Sequence, residues 1–304
     1  MTFMRRFATL LDLHGPPGAE RERGNVVFDP SHREFFWLLV RRDLKVRYAG
    51  STLGGLWNLI HPLMMIAIYM IVFSSIMKNK FGQAEGIIDY GDLTYGVHLC
   101  AGLIPWLLFS DVLTRSVAVL IENGNFLKKV SFPPIVLFTT LFFNALLVHG
   151  VGFLCLLAIL KGLGYPVPVG ALGGFGFMLL LGVAGLGLGL ILSGLNVFFR
   201  DTAQIITIAM QLLFWFNPIV YPRHVVAQPD QSADELSALE WLGRNILLFN
   251  PLERFITGTQ RLFGLVAAPA TGLDWAIVVL FPTLCLAAGL LLFRRMLPDI
   301  RDCL

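Results

Sequence analysis

One pair of ionisable residues interrupts an otherwise uncharged, membrane-length run: Asp111 and Arg115, four apart between Leu93 and Ile121. That spacing puts both on one face of a helix, where they neutralise each other in an apolar setting. The other residues able to do chemistry gather in short stretches. EFFWLLVRRDLKVRYAG, residues 34–50, carries Arg41, Arg42, Lys45 and Arg47. Its Trp37, Val40, Leu44 and Tyr48 fall at helical spacing on another face, so it reads as a basic amphipathic helix lying along a surface. ENGNFLKKVSFPP, Glu122 to Pro134, is short and polar and closes on two prolines, which suits a small helix projecting from the membrane. The turn Asn196-Val-Phe-Phe-Arg-Asp ends in Arg200 and Asp201 and is equally compact. Such basic turns serve either as surface anchors or as a docking face for a second subunit.

Several chemistries are absent. The chain contains no Gly-Lys-Ser/Thr, so it has no phosphate-binding loop of its own, and the glycines between Gly170 and Gly194 lack the strand and acidic partner of a nucleotide fingerprint. No catalytic constellation emerges. The six histidines are scattered, and His61 and His149 each read as an isolated structural histidine in an apolar span. Cys100, Cys155, Cys285 and Cys303 lie in separate segments without metal-ligand spacing. An ion-coupled carrier needs ionisable residues inside its spans, and only Asp111 and Arg115 are present, which counts against that mechanism. A nucleic-acid partner is not expected.

The elements that position these residues are apolar helices. Hydrophobic residues make up 56% of the 304 and charged residues 14%, against about 25% charged in soluble domains. Six runs are long enough to cross a bilayer: Leu53–Met77, Leu93–Ile121, Ile135–Leu160, Val169–Leu195, Thr202–Tyr221 and Trp275–Leu292. All but the second lack Asp, Glu, Lys and Arg. With the N-terminus inside, sixteen of the 23 Lys and Arg fall on inside segments, so both termini are expected in the cytoplasm. The run FATLLDL after Arg6 is short and interrupted by an acid, so no cleavable signal is expected there. The long loop from Pro222 to Asp274 has a polar first part and an apolar second part broken by Pro251, which suits a pair of short re-entrant or interfacial helices. In the fourth run Gly185, Gly189 and Ser193 keep small-xxx-small spacing, open either to packing within the chain or to a seam between two copies. Trp57, Tyr69, Trp106, Trp215 and Tyr221 form either a headgroup belt or, with Phe109, a pore lining able to stack on sugar rings.

RRDLKVRYAGSTLGGLWNLIHPL, GLIPWLLFSDVL, ENGNFLKKVSFPP, LNVFFRD and FWFNPIVYP followed by NPLERF stand in one order over residues 34–295. In that order they resemble the membrane subunits of type-2 ABC exporters of the polysaccharide-export group, which handles O-antigen, capsule and teichoic acid. The resemblance implies an all-α integral membrane fold: six transmembrane helices, an N-terminal amphipathic interface helix and short gate helices before the last span. It divides the chain into an arm at 1–33, an interface helix at 34–50, a transmembrane domain at 51–295 and a cytoplasmic tail at 296–304. It implies a homodimer served by two cytoplasmic ATPase subunits. ATP and magnesium would be held by those partners and no cofactor directly by this chain, which is then not an enzyme by itself. Asn125, Phe126, Lys128, Lys129, Phe132 and Pro133, with Arg200 and Asp201, would couple to the ATPase. The segments around Asn245–Phe263 would be outer gate helices. Arg41, Arg42, Lys45 and Arg47 would meet the phosphate of a lipid-linked polysaccharide. Outer-envelope export proteins are further expected partners. An exporter of a drug or small lipid shares the fold and stands as the alternative, with an ion-coupled carrier behind it.

Overall fold

The structure, a computed structural model, describes residues 30–46, 50–76, 87–129, 132–222 and 249–303. Among the described residues nine α-helices follow one another and no strand forms. They are α1 Pro30–Val46, α2 Trp57–Ile76, α3 Thr94–Glu122, α4 Gly124–Lys129 and α5 Ile135–Gly162, then α6 Gly174–Phe198, α7 Thr202–Trp215, α8 Pro251–Leu262 and α9 Gly272–Cys303. Lipid offers no hydrogen bonds to a backbone, so a chain of this composition satisfies its amides within helices. Among the described residues five helical stretches are long and apolar enough to cross a membrane, and they fall on α2, α3, α5, α6 and α9.

The run expected as a fifth span, Thr202–Tyr221, is helical only to Trp215. Fourteen residues rise about 21 Å, short of the roughly 30 Å hydrocarbon core. Pro218 disfavours helix at Asn217, and a turn follows. Conversely, the last span extends beyond Leu292 as part of α9, whose Met296 and Ile300 remain buried.

The centre of the bundle is α6, packed against α3 on one side and α9 on the other. Glycines permit this. A Cβ on Gly189 would lie 2.4 Å from Ser116 Cβ of α3, and one on Gly185 3.2 Å from Phe109. On the opposite face a Cβ on Gly187 would lie 2.3 Å from the Cys285 carbonyl carbon of α9, and one on Gly289 2.3 Å from Gly187 O. Of the two readings of the small-residue face, the structure uses it for contact inside the chain, with Ser193 fully buried.

The helices share two ends. At one, Gln260 of α8 meets His98 near the start of α3, and Thr259 lies against Gly174 at the start of α6. At the other, α1 meets α4, and Met296 near the end of α9 covers Gly194 near the end of α6. Both α1 and the C-terminal turns of α9 therefore lie at the same end.

Candidate functional site

At the α1 end, Leu39 and Val40 are buried against the bundle, while Arg41, Arg42 and Lys45 are exposed. Trp37 is 45% exposed and packs edge-on to Phe143, 5.4 Å between centroids. The inward face thus keeps Val40 and the half-buried Leu44 of the expected stripe but leaves Trp37 partly exposed and takes in Leu39 and Asp43, an acid. Arg47 and Tyr48 lie outside the described residues. An open hollow lies along the exposed face of α1, against Glu34, Trp37, Leu38, Arg41, Arg42 and Lys45.

The stretch Glu122–Pro134 forms the expected short helix. Asn123 closes α3, its Nδ2 donating to Val119 O at 2.9 Å, and α4 follows at Gly124–Lys129. Asn125 and Lys128 are exposed on it, and Lys129 ends it. Phe126 packs on Phe132 at 5.1 Å, just before Pro133 and Pro134 start α5. Arg42 of α1 lies over the Phe126 ring, 5.8 Å from its centroid, a cation–π contact. Arg200 and Asp201 are exposed between α6 and α7. Asn196 holds that turn to α3: its Nδ2 donates to Val117 O at 2.9 Å and its Oδ1 accepts from Ala203 N. All the described coupling candidates therefore share one end of the bundle.

Behind α1 lies a polar cluster that the sequence does not announce. Asp43 Oδ2 accepts two hydrogen bonds, from Arg115 Nη2 of α3 and Asn144 Nδ2 of α5, each 2.8 Å. Arg115 Nη1 stands 3.8 Å from Asp111 Oδ2, and His149 Nε2 lies 3.5 Å from that same oxygen. Two expectations change. Arg115 makes its shorter ion pair with Asp43 rather than with Asp111, and His149 is not isolated. The signal that would have exposed Asp43 is an acid among the basic residues of α1, next to the apolar pair Leu39–Val40.

Between α3 and α7 runs a groove of about 320 Å³. Its polar side chains are Ser110, Thr114, Thr207 and Gln211, two pairs four apart on facing helices. Trp106, Phe214 and Trp215 supply aromatic rings, with Met210 beside them. Trp106 and Phe214 are 6.2 Å apart between centroids. The Thr114 and Thr207 hydroxyls donate to Ser110 O and Ala203 O of their own helices, which leaves hydroxyl lone pairs as acceptors. None of these lining side chains is charged. Of the six candidate lining aromatics, the groove brings together Trp106 and Trp215. Phe109 is 1% exposed in the core against Gly185. Tyr69 packs on Phe73, Trp57 starts α2, and the Tyr221 hydroxyl donates to Trp215 O.

The far end is closed by α8, the described member of the expected pair of short helices. Within the apolar stretch expected to hold the pair, about residues 245–270, residues 263–270 form no second helix, and 245–248 lie outside the described residues. Asn250 caps α8 by accepting from Leu252 N, with Pro251 at the first turn, the usual N-terminal chemistry. Three contacts pin the helix. Asn250 Nδ2 donates to Asn217 Oδ1 at 3.0 Å, and Gln260 Nε2 donates to Pro218 O at 2.8 Å. Arg254 Nη1 pairs with Asp274 of α9 at 2.8 Å, and Arg254 Nε lies 3.3 Å from the fully buried Glu253 carboxylate. The Tyr90 hydroxyl donates to Phe263 O just past α8. Burial pushes that phenol up to about 12, which keeps it a neutral donor.

Residues 34–242 match the protein family described as ABC-2 type transporter. The chain is similar to the O-antigen export system permease protein RfbA of Klebsiella pneumoniae, 28% identical over 238 residues, which covers 74% of this chain and 78% of that one. A protein of the same description from Myxococcus xanthus is 29% identical over 229 residues, with the same coverage. The polysialic acid transport protein KpsM of Escherichia coli is 23% identical over 257 residues, 84% of this chain and 91% of that one.

Proposed function

The chain belongs to the ABC-2 type transporter family, and from that premise we propose that it is the membrane subunit of an ATP-driven exporter of lipid-linked cell-surface polysaccharide, of O-antigen or capsule type. The observation that carries the reading is the uncharged groove between α3 and α7. The exposed indole ring of Trp215, with the buried Trp106 behind it, offers a flat apolar face to sugar C–H groups, while Ser110, Thr114, Thr207 and Gln211 offer hydrogen bonds to hydroxyls. A few placed polar groups among aromatics are the usual make-up of a small-molecule site. The printed activities of the similar proteins, O-antigen export and polysialic acid transport, support the same cargo class.

In this reading the α1 end faces the cytoplasm, as the excess of Lys and Arg there favours. Two ATPase subunits dock beneath α4 and the turn at Arg200–Asp201, and two copies of the chain enclose the path. The short α7 completes a sixth crossing together with the turn and α8 above it. The basic face of Arg41, Arg42 and Lys45 receives lipid-linked phosphate, where clustered cations make charge-assisted hydrogen bonds.

Two measurements test this. Purification with its ATPase and reconstitution should give ATP-dependent movement of a lipid-linked glycan. Phe126→Ala with Lys128→Glu should cut that movement at least tenfold while the chain still inserts. Undiminished export by the double variant removes the coupling role of α4, and absence of glycan movement by the parent complex removes the cargo. In the groove, Trp215→Ala with Gln211→Ala deletes an exposed stacking face and a hydrogen bond, each worth about 1 kcal/mol. Export should fall roughly thirtyfold, by the relation of about 1.4 kcal/mol per factor of ten. ATPase assembly, followed by co-purification, should be unchanged. Normal export by that variant rules the groove out as the glycan path.

A further inference from the structure

We propose that Asp43 is a positioning residue that fixes the register of α1 on the bundle, so that motion received at α4 is delivered to the groove. The inference rests on the chain acting as the membrane subunit of an ATP-driven exporter, and it goes beyond the residues expected to touch a partner or a cargo.

Neighbouring residues of α1 engage different partners. Arg42 lies over Phe126 of α4, 5.8 Å from the ring centroid. Asp43, one position on and about 100° around the helix, accepts 2.8 Å hydrogen bonds from Arg115 of α3 and Asn144 of α5. One turn of α1 therefore joins the short polar helix at the bundle's end to two long helices at once. Among the described residues α1 is further held by apolar contact, through Leu39 and Val40, each 2% exposed, and through Phe36 and Trp37 against Phe143. Apolar contact is non-directional and tolerates sliding. A carboxylate held by a guanidinium and an amide is directional, and hydrogen bonds to charged groups are about twice as strong as neutral ones.

The placement on α3 says where such motion goes. Asp111 and Arg115 of the polar cluster alternate with Ser110 and Thr114 of the groove on the same two turns. Each groove hydroxyl on α3 is thus adjacent in sequence to a member of the cluster. A rigid turn of α3 that follows Asp43 must carry Ser110 and Thr114 with it. Neither Asp43 nor Asn144 lines the groove, so their effect on cargo passes through Arg115.

The first test requires neither ATP nor cargo. Spin labels are placed at Leu38→Cys on α1 and Ile121→Cys on α3, both exposed sites, with Cys303→Ser removing the exposed native thiol. Labelled chain is diluted with unlabelled chain in lipid nanodiscs. The expected distance distribution is narrow, and Asp43→Ala should broaden it at least twofold. Asn144→Leu, which removes one of the two donors at similar volume, should broaden it less. An unchanged distribution in both variants overturns the proposal.

The second test uses the complex reconstituted with its ATPase. Glycan moved per ATP hydrolysed should drop at least tenfold in Asp43→Ala, with ATP turnover and the amount of assembled complex within twofold of the parent. Asp43→Asn, which still accepts hydrogen bonds, should recover part of the loss. A proportional fall of transport, ATP turnover and assembly marks a merely structural residue and overturns the proposal, as does an unaltered ratio. If the parent itself moves no glycan, the polysaccharide reading fails, while the label distances still judge Asp43 independently.

Discussion

Gly187→Leu is expected to abolish accumulation of folded protein. A Cβ there would lie 2.3 Å from the Cys285 carbonyl carbon and 2.5 Å from Leu286 N, both backbone atoms of α9. No rotamer change relieves a clash with backbone, so α6 and α9 must separate along their crossing. Overpacking in a core that can adjust costs about 1–3 kcal/mol. Here separation also forfeits the close dispersion contacts that hold apolar helices together in lipid, where burial from water contributes nothing. Against a typical total stability of about 5–15 kcal/mol, that loss is decisive. Gly176, on the same helix, faces open space within the chain, so Gly176→Ala should be neutral or slightly stabilising through better helix propensity. Size-exclusion profiles and thermal unfolding of the two variants in one detergent make the comparison. Normal yield and unfolding temperature for Gly187→Leu would show that the α6–α9 crossing is wider than described.

Arg115→Ala is expected to be the most damaging change in the polar cluster, well beyond Asp43→Ala. One guanidinium serves two carboxylates, Asp43 at 2.8 Å and Asp111 at 3.8 Å. Removing Asp43 leaves Arg115 opposite Asp111, a neutral pair. Removing Arg115 leaves two carboxylates without their guanidinium, with Asn144 on Asp43 and His149 near Asp111. Breaking a fully buried pair from one side costs about 3–5 kcal/mol. Arg115 and Asp43 keep 30% and 36% exposure, so solvent screening lowers that to roughly 2–3 kcal/mol. Asp111→Asn should restore part of the stability when combined with Arg115→Ala, because it removes one of the unpaired charges. Thermal unfolding of the two single variants and the Asp111–Arg115 double variant checks the order. Equal losses for Asp43→Ala and Arg115→Ala would mean that Asp111 takes no share of Arg115.

Much of the architecture was legible along the chain because its causes are local. Apolar runs of spanning length read directly as α2, α3, α5, α6 and α9, and the polar stretch closed by Pro133 and Pro134 read as α4. The NPLERF segment carried its own cap and proline, and α8 starts there. Where local signals were incomplete, the reading drifted. The apolar run after Thr202 does not show that Asn217 and Pro218 interrupt the helix early. The stripe on α1 was judged from hydrophobic spacing alone, which placed Trp37 inward and overlooked Asp43. The lining aromatics were chosen by type and by position along the spans, and rotation about a helix axis decides which of them meet. Trp106 and Trp215 share the groove, while Phe109, three residues from Trp106, turns into the core.

Length, hydropathy and charge distribution along one chain therefore determined an all-helical membrane protein with a basic surface helix and a short polar helix between long ones. These properties depend on residues within a few turns of each other. Tertiary structure alone decided what the ionisable and small residues do. Asp43 meets Arg115 across 72 positions and Asn144 across 101, and Gly187 meets Cys285 across a crossing that no periodicity reveals. An isolated amphipathic helix has no preferred partner for an acid on its inward face, because that preference arises only when another helix brings a guanidinium within 3 Å.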